Sequence, residues 1–139
     1  MSKVVKIFPS VQRRILIDCV VGLPDEINPI HDSRSAICYA LIDTGAMISA
    51  ISTRAAEKLK LPVSGSQAVI AANNHRDVVD TYIVNLGLSQ DVSFPLVQVS
   101  GLDMDEYDII IGMDLLCEGD LIITNSDDRT VFAFDKYES

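Results

Sequence analysis

What most restricts this chain is how its apolar residues are grouped: short runs rich in Val and Ile, each cut off by Gly, Pro, Asn or Asp before a long helix can form. β-Branched side chains are stiff at χ1 and suit a pleated, half-buried surface, so such runs read as strands. They fall at 3–8, 13–22, 36–42, 48–51, 66–71, 78–86, 92–99, 109–112, 121–124 and 130–134. The runs 66–71 and 78–86 flank the polar stretch 72–77 and predict a hairpin with an exposed tip. Gly87 to Asp91 turns the chain again, and 125–128 turn the last pair of strands. Between 23 and 34, Pro24, Asn28, Pro29 and several acidic residues predict a loop. Two segments suit a helix: 54–60, capped by Ser52 or Thr53 and stopped by Pro62, and 113–118, closed by Gly119. The expected fold is mostly β with one or two short helices.

At 139 residues and 48% hydrophobic content the chain fills one core, not two. Residues 1–11 read as an N-terminal strand or arm and 12–139 as the domain. A net charge of −9, from 20 acidic and 11 basic residues, repels a phosphate backbone and argues against a nucleic-acid partner. No stretch is apolar for the length a bilayer demands, so no membrane partner is expected. Cys19, Cys38 and Cys117 are odd in number and lack paired spacing. The first two lie in predicted strands as core thiols, which fits a reducing, cytoplasmic setting.

One polar turn stands apart. Leu41 and Ile42 end an apolar strand at Asp43-Thr44-Gly45 and would deliver that turn into the interior. By itself this is an ordinary Asx turn between strands. Read as chemistry, Asp43 is half of a hydrolytic site. Carboxyl groups cleave a peptide bond in pairs that share one proton, one acting as base toward water and the other polarising the carbonyl. A chain with one such motif meets that requirement only by pairing with a second copy about a twofold axis. The Thr44 hydroxyl is short enough to hold two such loops together, Gly45 allows a close backbone approach, and Ala46 leaves room beside them. Ile110-Ile111-Gly112-Met113-Asp114 loosely repeats the pattern of apolar strand, glycine turn and short helix.

Two ordered segments carry a family resemblance. Ala40-Leu41-Ile42-Asp43-Thr44-Gly45-Ala46-Met47-Ile48-Ser49-Ala50-Ile51 resembles the active-site segment of retropepsins, and Tyr107-Asp108-Ile109-Ile110-Ile111-Gly112-Met113-Asp114-Leu115-Leu116 resembles their second signature. The predicted hairpin lies between them, as it does in that family, and the likeness covers 12–135. The resemblance implies a closed acid-protease β-barrel that works as a homodimeric aspartic endopeptidase on a peptide or protein substrate, with no metal or organic cofactor. It implies that Asp43 is the catalytic carboxylate, supported by Thr44, Gly45 and Ala46. Ala71, Ala72, Asn73, Asn74 and His75 would form the flap that closes on substrate. Ile111 and Gly112 would be structural members of the second signature.

The chain also departs from that pattern. Viral members commonly carry an acidic residue where Met47 stands and an Arg where Met113 stands; losing both together reads as an apolar replacement of an ion pair, with both methionines as core filler. The flap segment lacks the glycines usual at its tip. A retropepsin-like module that binds peptide or dimerises with little catalysis is therefore the alternative reading, and an isolated barrel with an Asx turn at 43–45 is a third. His31 and His75 sit in separate predicted loops without metal-ligand spacing. Ser49 and Ser52 lack a nucleophile elbow and read as capping or strand hydrogen-bond partners. Asp103, Asp105, Glu106 and Asp108 lack the glycine of a calcium loop and read as a solvated acidic loop.

Overall fold

A computed structural model describes residues 2–28, 30, 32–70 and 74–138. Ten strands form along the chain: β1 (Ser2–Ile7), β2 (Ile15–Gly22), β3 (Ser35–Ile42), β4 (Ala50–Ser52), β5 (Gly65–Ile70), β6 (Arg76–Gly87), β7 (Ser93–Leu102), β8 (Ile109–Ile111), β9 (Gly119–Thr124) and β10 (Val131–Lys136). Two short helices, α1 (Thr53–Lys58) and α2 (Met113–Leu116), follow β4 and β8. Single 3-10 turns occupy 25–27 and 126–128.

Six strands close on themselves in the order β2-β3-β8-β4-β7-β6, and β6 returns to β2 through Val20↔Gly87, Val21↔Leu86 and Gly22↔Asn85. Closure removes the exposed edges an open sheet would carry. β5 hangs from β6 outside this ring as the other arm of the hairpin. The bend that closure needs is built where β6 and β7 lose register between Val84 and Leu86. Pro95 and the left-handed Leu96 (φ 53°) stand opposite, and the side chain of the skipped Asn85 accepts the Leu96 N–H at 2.9 Å. Pro has no amide to give the ladder and is tolerated at such an irregularity.

Alternation fills the barrel. Ile15, Ile17, Cys19 and Val21 of β2 face Cys38, Ala40 and Ile42 of β3 inside, with Val84, Leu86, Val99, Ile109 and Ile111 completing the core. The near-continuous apolar run of β3 suggests burial on both faces, but only one is buried. Ile37 is 78% exposed because, among the described residues, no second layer covers this side of the barrel. A second sheet, ordered β1-β10-β9, joins the same core through the fully buried Phe132 and Phe134. The Phe134 ring stands 6.1 Å from that of Phe94 on β7.

The expected helix cap is present: the Ser52 side chain accepts the Ala55 N–H at 3.0 Å, as a side-chain oxygen at that position should.

Cys19 and Cys38 are buried cross-strand neighbours, whereas Cys117 is exposed. Burial, with the Asp108 carboxylate second, pushes the Cys38 thiol from 9.0 up to about 11. Burial, followed by the neighbouring Cys38, pushes Cys19 up strongly as well. Both shifts keep protons on the folded chain after the unfolded chain has lost its own. Their contribution to stability is therefore intact below about pH 9 and is lost as pH rises toward the folded values. The melting temperature should fall between about pH 9 and 11, and less so when Cys19 and Cys38 are both replaced by Ala. In the native state, Ellman's reagent should titrate Cys117 rapidly and the other two thiols only after denaturation.

Candidate active site

β3 ends at Ile42, and its last inward residues are held by a parallel pairing with β8, Ala40↔Ile109 to Ile42↔Ile111. The next amide continues that ladder, since Asp43 N–H donates to the Ile111 carbonyl at 2.9 Å. The chain then turns on itself. Gly45 N–H donates to Asp43 Oδ1 at 2.9 Å and Ala46 N–H to the Asp43 carbonyl at 3.2 Å, which is the geometry of an Asx turn. No positive φ is needed at Gly45. A Cβ there would instead stand 3.2 Å from Asp43 Oδ1 and crowd the carboxylate.

The turn is bolted to the second signature. Met113 N–H donates to the Ala46 carbonyl at 2.8 Å and Asp114 N–H to the Met47 carbonyl at 3.2 Å. Gly112 permits this approach, because a Cβ at that position would meet the Ala46 carbonyl oxygen at 2.8 Å and Ile48 backbone atoms at 3.0 and 3.1 Å. Beneath the turn, the fully buried Ser49 gives its N–H (3.0 Å) and hydroxyl (2.7 Å) to the two oxygens of Asp114, while its Oγ accepts the Gly112 N–H at 3.0 Å. Asp43, Ala46, Ile111 and Gly112 are thus brought together. The cross-link through Ser49 and Asp114 escapes sequence reasoning. Its one signal is the loose repeat that puts Asp114 two residues after Gly112.

That network takes the place expected of an apolar methionine brace. Met113 packs half-buried against the core, but Met47 is 81% exposed and is not core filler: it lies on the open side of the turn, where none of the described residues covers it. Asp114→Ala would strand the buried Ser49 N–H and should cost about 2 kcal/mol of unfolding free energy, whereas Asp114→Asn, which keeps an acceptor, should cost under about 1 kcal/mol by denaturant titration.

The predicted interior position of the turn is also corrected. Asp43 is half-buried and Thr44 and Gly45 are exposed, because the barrel end at which β3 stops is open in a single chain. Beside Asp43 lies a depression of about 340 Å³ walled by Arg14, Ile15, Leu41, Thr44 and Ile123, so that strand β9 reaches the site. Arg14 is ion-paired to Glu106, whose hydrogen bond and charge raise the guanidinium pKa. Asp108, expected to be solvated, accepts the Tyr39 N–H at 3.0 Å and an Arg54 N–H at 3.0 Å, and so ties β3 to α1.

The hairpin, in its described residues, does not line the Asp43 depression. Its described flank, with Val69, Ile70, His75 and Asp77, lines a separate depression of about 490 Å³ together with Thr53 and Leu102. Asn74 takes a left-handed conformation (φ 60°), which Asn tolerates better than most residues. Ala71, Ala72 and Asn73 lie outside the described residues, as does His31.

The model of the family described as "gag-polyprotein putative aspartyl protease" matches residues 36–118, more than half of the chain and both signatures. No curated protein sequence matches. Among solved structures, a retropepsin-like aspartic protease from Rickettsia conorii aligns over 97% of this chain and 94% of its own, with a TM-score of 0.58 at 15% identity. The retroviral protease-like domain of Ddi1 from Leishmania major aligns over 88% and 95%, with a TM-score of 0.51 at 16% identity. At those identities the likeness is one of fold, and it agrees with the closed six-stranded barrel and two short helices seen here. The family match and the fold together make this chain a member of the gag-polyprotein aspartyl protease family, retropepsin-like in architecture.

Proposed function

We propose that this chain is one half of an aspartic endopeptidase, with the Asp43 carboxyls of two copies facing each other across a twofold axis. The observation that carries the reading is an asymmetry in how the turn is held. Its inner side is fixed by hydrogen bonds to β8 and α2, while its outer side, with Thr44 and Gly45, is left open. A structural Asx turn needs no such opening.

Two carboxyls facing each other across the axis share one proton and divide the work between them. The ionised one takes a proton from water as its oxygen attacks the peptide carbonyl carbon. The protonated one donates to the carbonyl oxygen. The tetrahedral intermediate then collapses, its C–N bond breaks, and the amine leaves with a proton returned by the dyad. Thr44 holds the two turns in register and Gly45 presents its backbone to an extended substrate. The flap would have to swing from the separate depression lined by His75 for Asn74 and His75 to cover a peptide bound at Asp43. Free core thiols suit work in a reducing compartment such as the cytoplasm.

Peptide-library cleavage between pH 4 and 7, comparing the wild type with Asp43→Asn, tests the proposal. Cleavage by the wild type alone supports it. A dimeric wild type as inactive as the variant over the whole range would leave a peptide-binding or dimerisation module.

A further inference from the structure

The hairpin of β5 and β6 extends past the closed barrel, and a two-stranded hairpin is marginal in water unless something packs against it. Its base is fastened. The Ser100 hydroxyl of β7 donates to Gln67 Oε1 at 3.1 Å, and the Ser64 and Thr81 hydroxyls lie 2.9 Å apart. Register sets Gln67 opposite Val79 and Val69 opposite Asp77, so these four side chains share one face of the hairpin.

Beyond Gln67 that face does not close on the barrel. Val69 and Val79 border the depression of about 490 Å³, with Thr53, Gly101 and Leu102 on its other wall. Val69, Val79 and Leu102 are half-buried there. The volume is that of a small-molecule site, and an aliphatic lining with a few polar groups is how such sites hold and orient a ligand. The fixed charges are of one sign. Asp77 on the hairpin and Asp103 after β7 both line the depression, and among the described residues no Lys or Arg does. Asp103 Oδ1 accepts the Thr53 hydroxyl at 3.3 Å, and His75 Nε2 stands 3.7 Å from Asp77 Oδ1, contacts that place one carboxylate on each wall.

We propose that this depression is a second ligand site, which takes a small amphipathic amine. The apolar body lies between Val69, Val79 and Leu102, and the ammonium group between Asp77 and Asp103. An acid of the same size is repelled by the two carboxylates. A ligand that touches both walls binds only while the hairpin keeps its present seat, and so favours that state. The hairpin is the flap that has to swing toward Asp43, so the amine slows cleavage from outside the catalytic depression. This consequence, unlike the site itself, rests on the proteolytic reading.

Titration of the full chain with phenylbutylamine, followed by amide proton–nitrogen correlation spectra, tests the site. The resonances of Val69, Val79 and Leu102 should shift saturably. Phenylbutyrate, with the same body and the opposite charge, should bind at least about tenfold more weakly. The double variant Asp77→Asn, Asp103→Asn should lose about tenfold in affinity for the amine and keep its fold, since both positions are exposed. Equal binding of amine and acid, an amine affinity untouched by the double variant, or shifts confined to other parts of the chain overturns the site. Cleavage is read separately. Saturating amine should reduce kcat/KM several-fold, and the double variant should need about tenfold more amine for the same effect. An amine that binds without slowing cleavage overturns the coupling to the flap; a chain that cuts no peptide ends the protease reading, while the shifts still decide the site.

Discussion

Asp43→Asn is expected to lower kcat/KM by at least about a thousandfold while leaving the dimer and its melting intact. The amide cannot take a proton from water, and it abolishes the shared proton on which the division of labour between the two carboxyls rests. Loss of a transition-state interaction of this kind lowers kcat together with kcat/KM and leaves KM nearly unchanged. The subunit arrangement adds a sharper expectation. When wild type and variant are mixed in equal amounts and allowed to exchange, only about a quarter of the dimers retain both carboxyls, so activity should fall to about a quarter, not a half. Asn is close to Asp in shape and can still accept the Gly45 N–H, so the turn survives the exchange. A proportional fall to half would mean that each Asp43 works alone, and the dyad would be discarded.

Gly119→Ala is expected to be among the most destabilising single-methyl changes in this chain, at about 3 kcal/mol or more. A Cβ there would overlap the Asp135 carbonyl oxygen and stand 2.6 Å from Phe134 Cζ and 2.9 Å from Lys136 Cα. Two of those three neighbours are backbone of β10, so relief requires the strands to separate and cannot come from a change of rotamer. Phe134 is fully buried and already in contact with Phe94, and it has no room to withdraw. For a domain of this size the melting temperature should drop by about 10 °C, with a lower denaturant midpoint and an unchanged m-value. Gly112→Ala should cost less, since its closest contact is longer, but it should reduce activity disproportionately by displacing Ala46. Equal thermal stability of Gly119→Ala and wild type would show that β9 and β10 are not as closely packed as described.

How far the sequence foretells all this depends on the range of the interaction. Strands set by β-branched runs, the Ser52 cap and the hairpins are local, and each was readable from a few neighbouring residues. The closure of β6 onto β2 and the parallel pairings β3–β8 and β4–β7 join segments far apart in the chain, and residue type alone does not signal them. At the site, the Asx turn at Asp43 and the tight packing at Gly112 follow from residue type and are legible locally. Asp114 was not, since an Asp after a glycine turn looks the same whether it meets water or a buried serine. Met47 was misjudged for a related reason: apolar character predicts burial on average, but an open barrel end leaves one such residue without cover.

The hydrogen bonds that join Ala46 and Met47 to Met113 and Asp114 carry a lesson for anyone transplanting this chemistry. A graft of Asp-Thr-Gly into another β scaffold would bring the carboxyl without the hydrogen bonds that hold its turn. The smallest portable unit is a pair of strand ends, 42–49 and 111–115, moved as one discontinuous part.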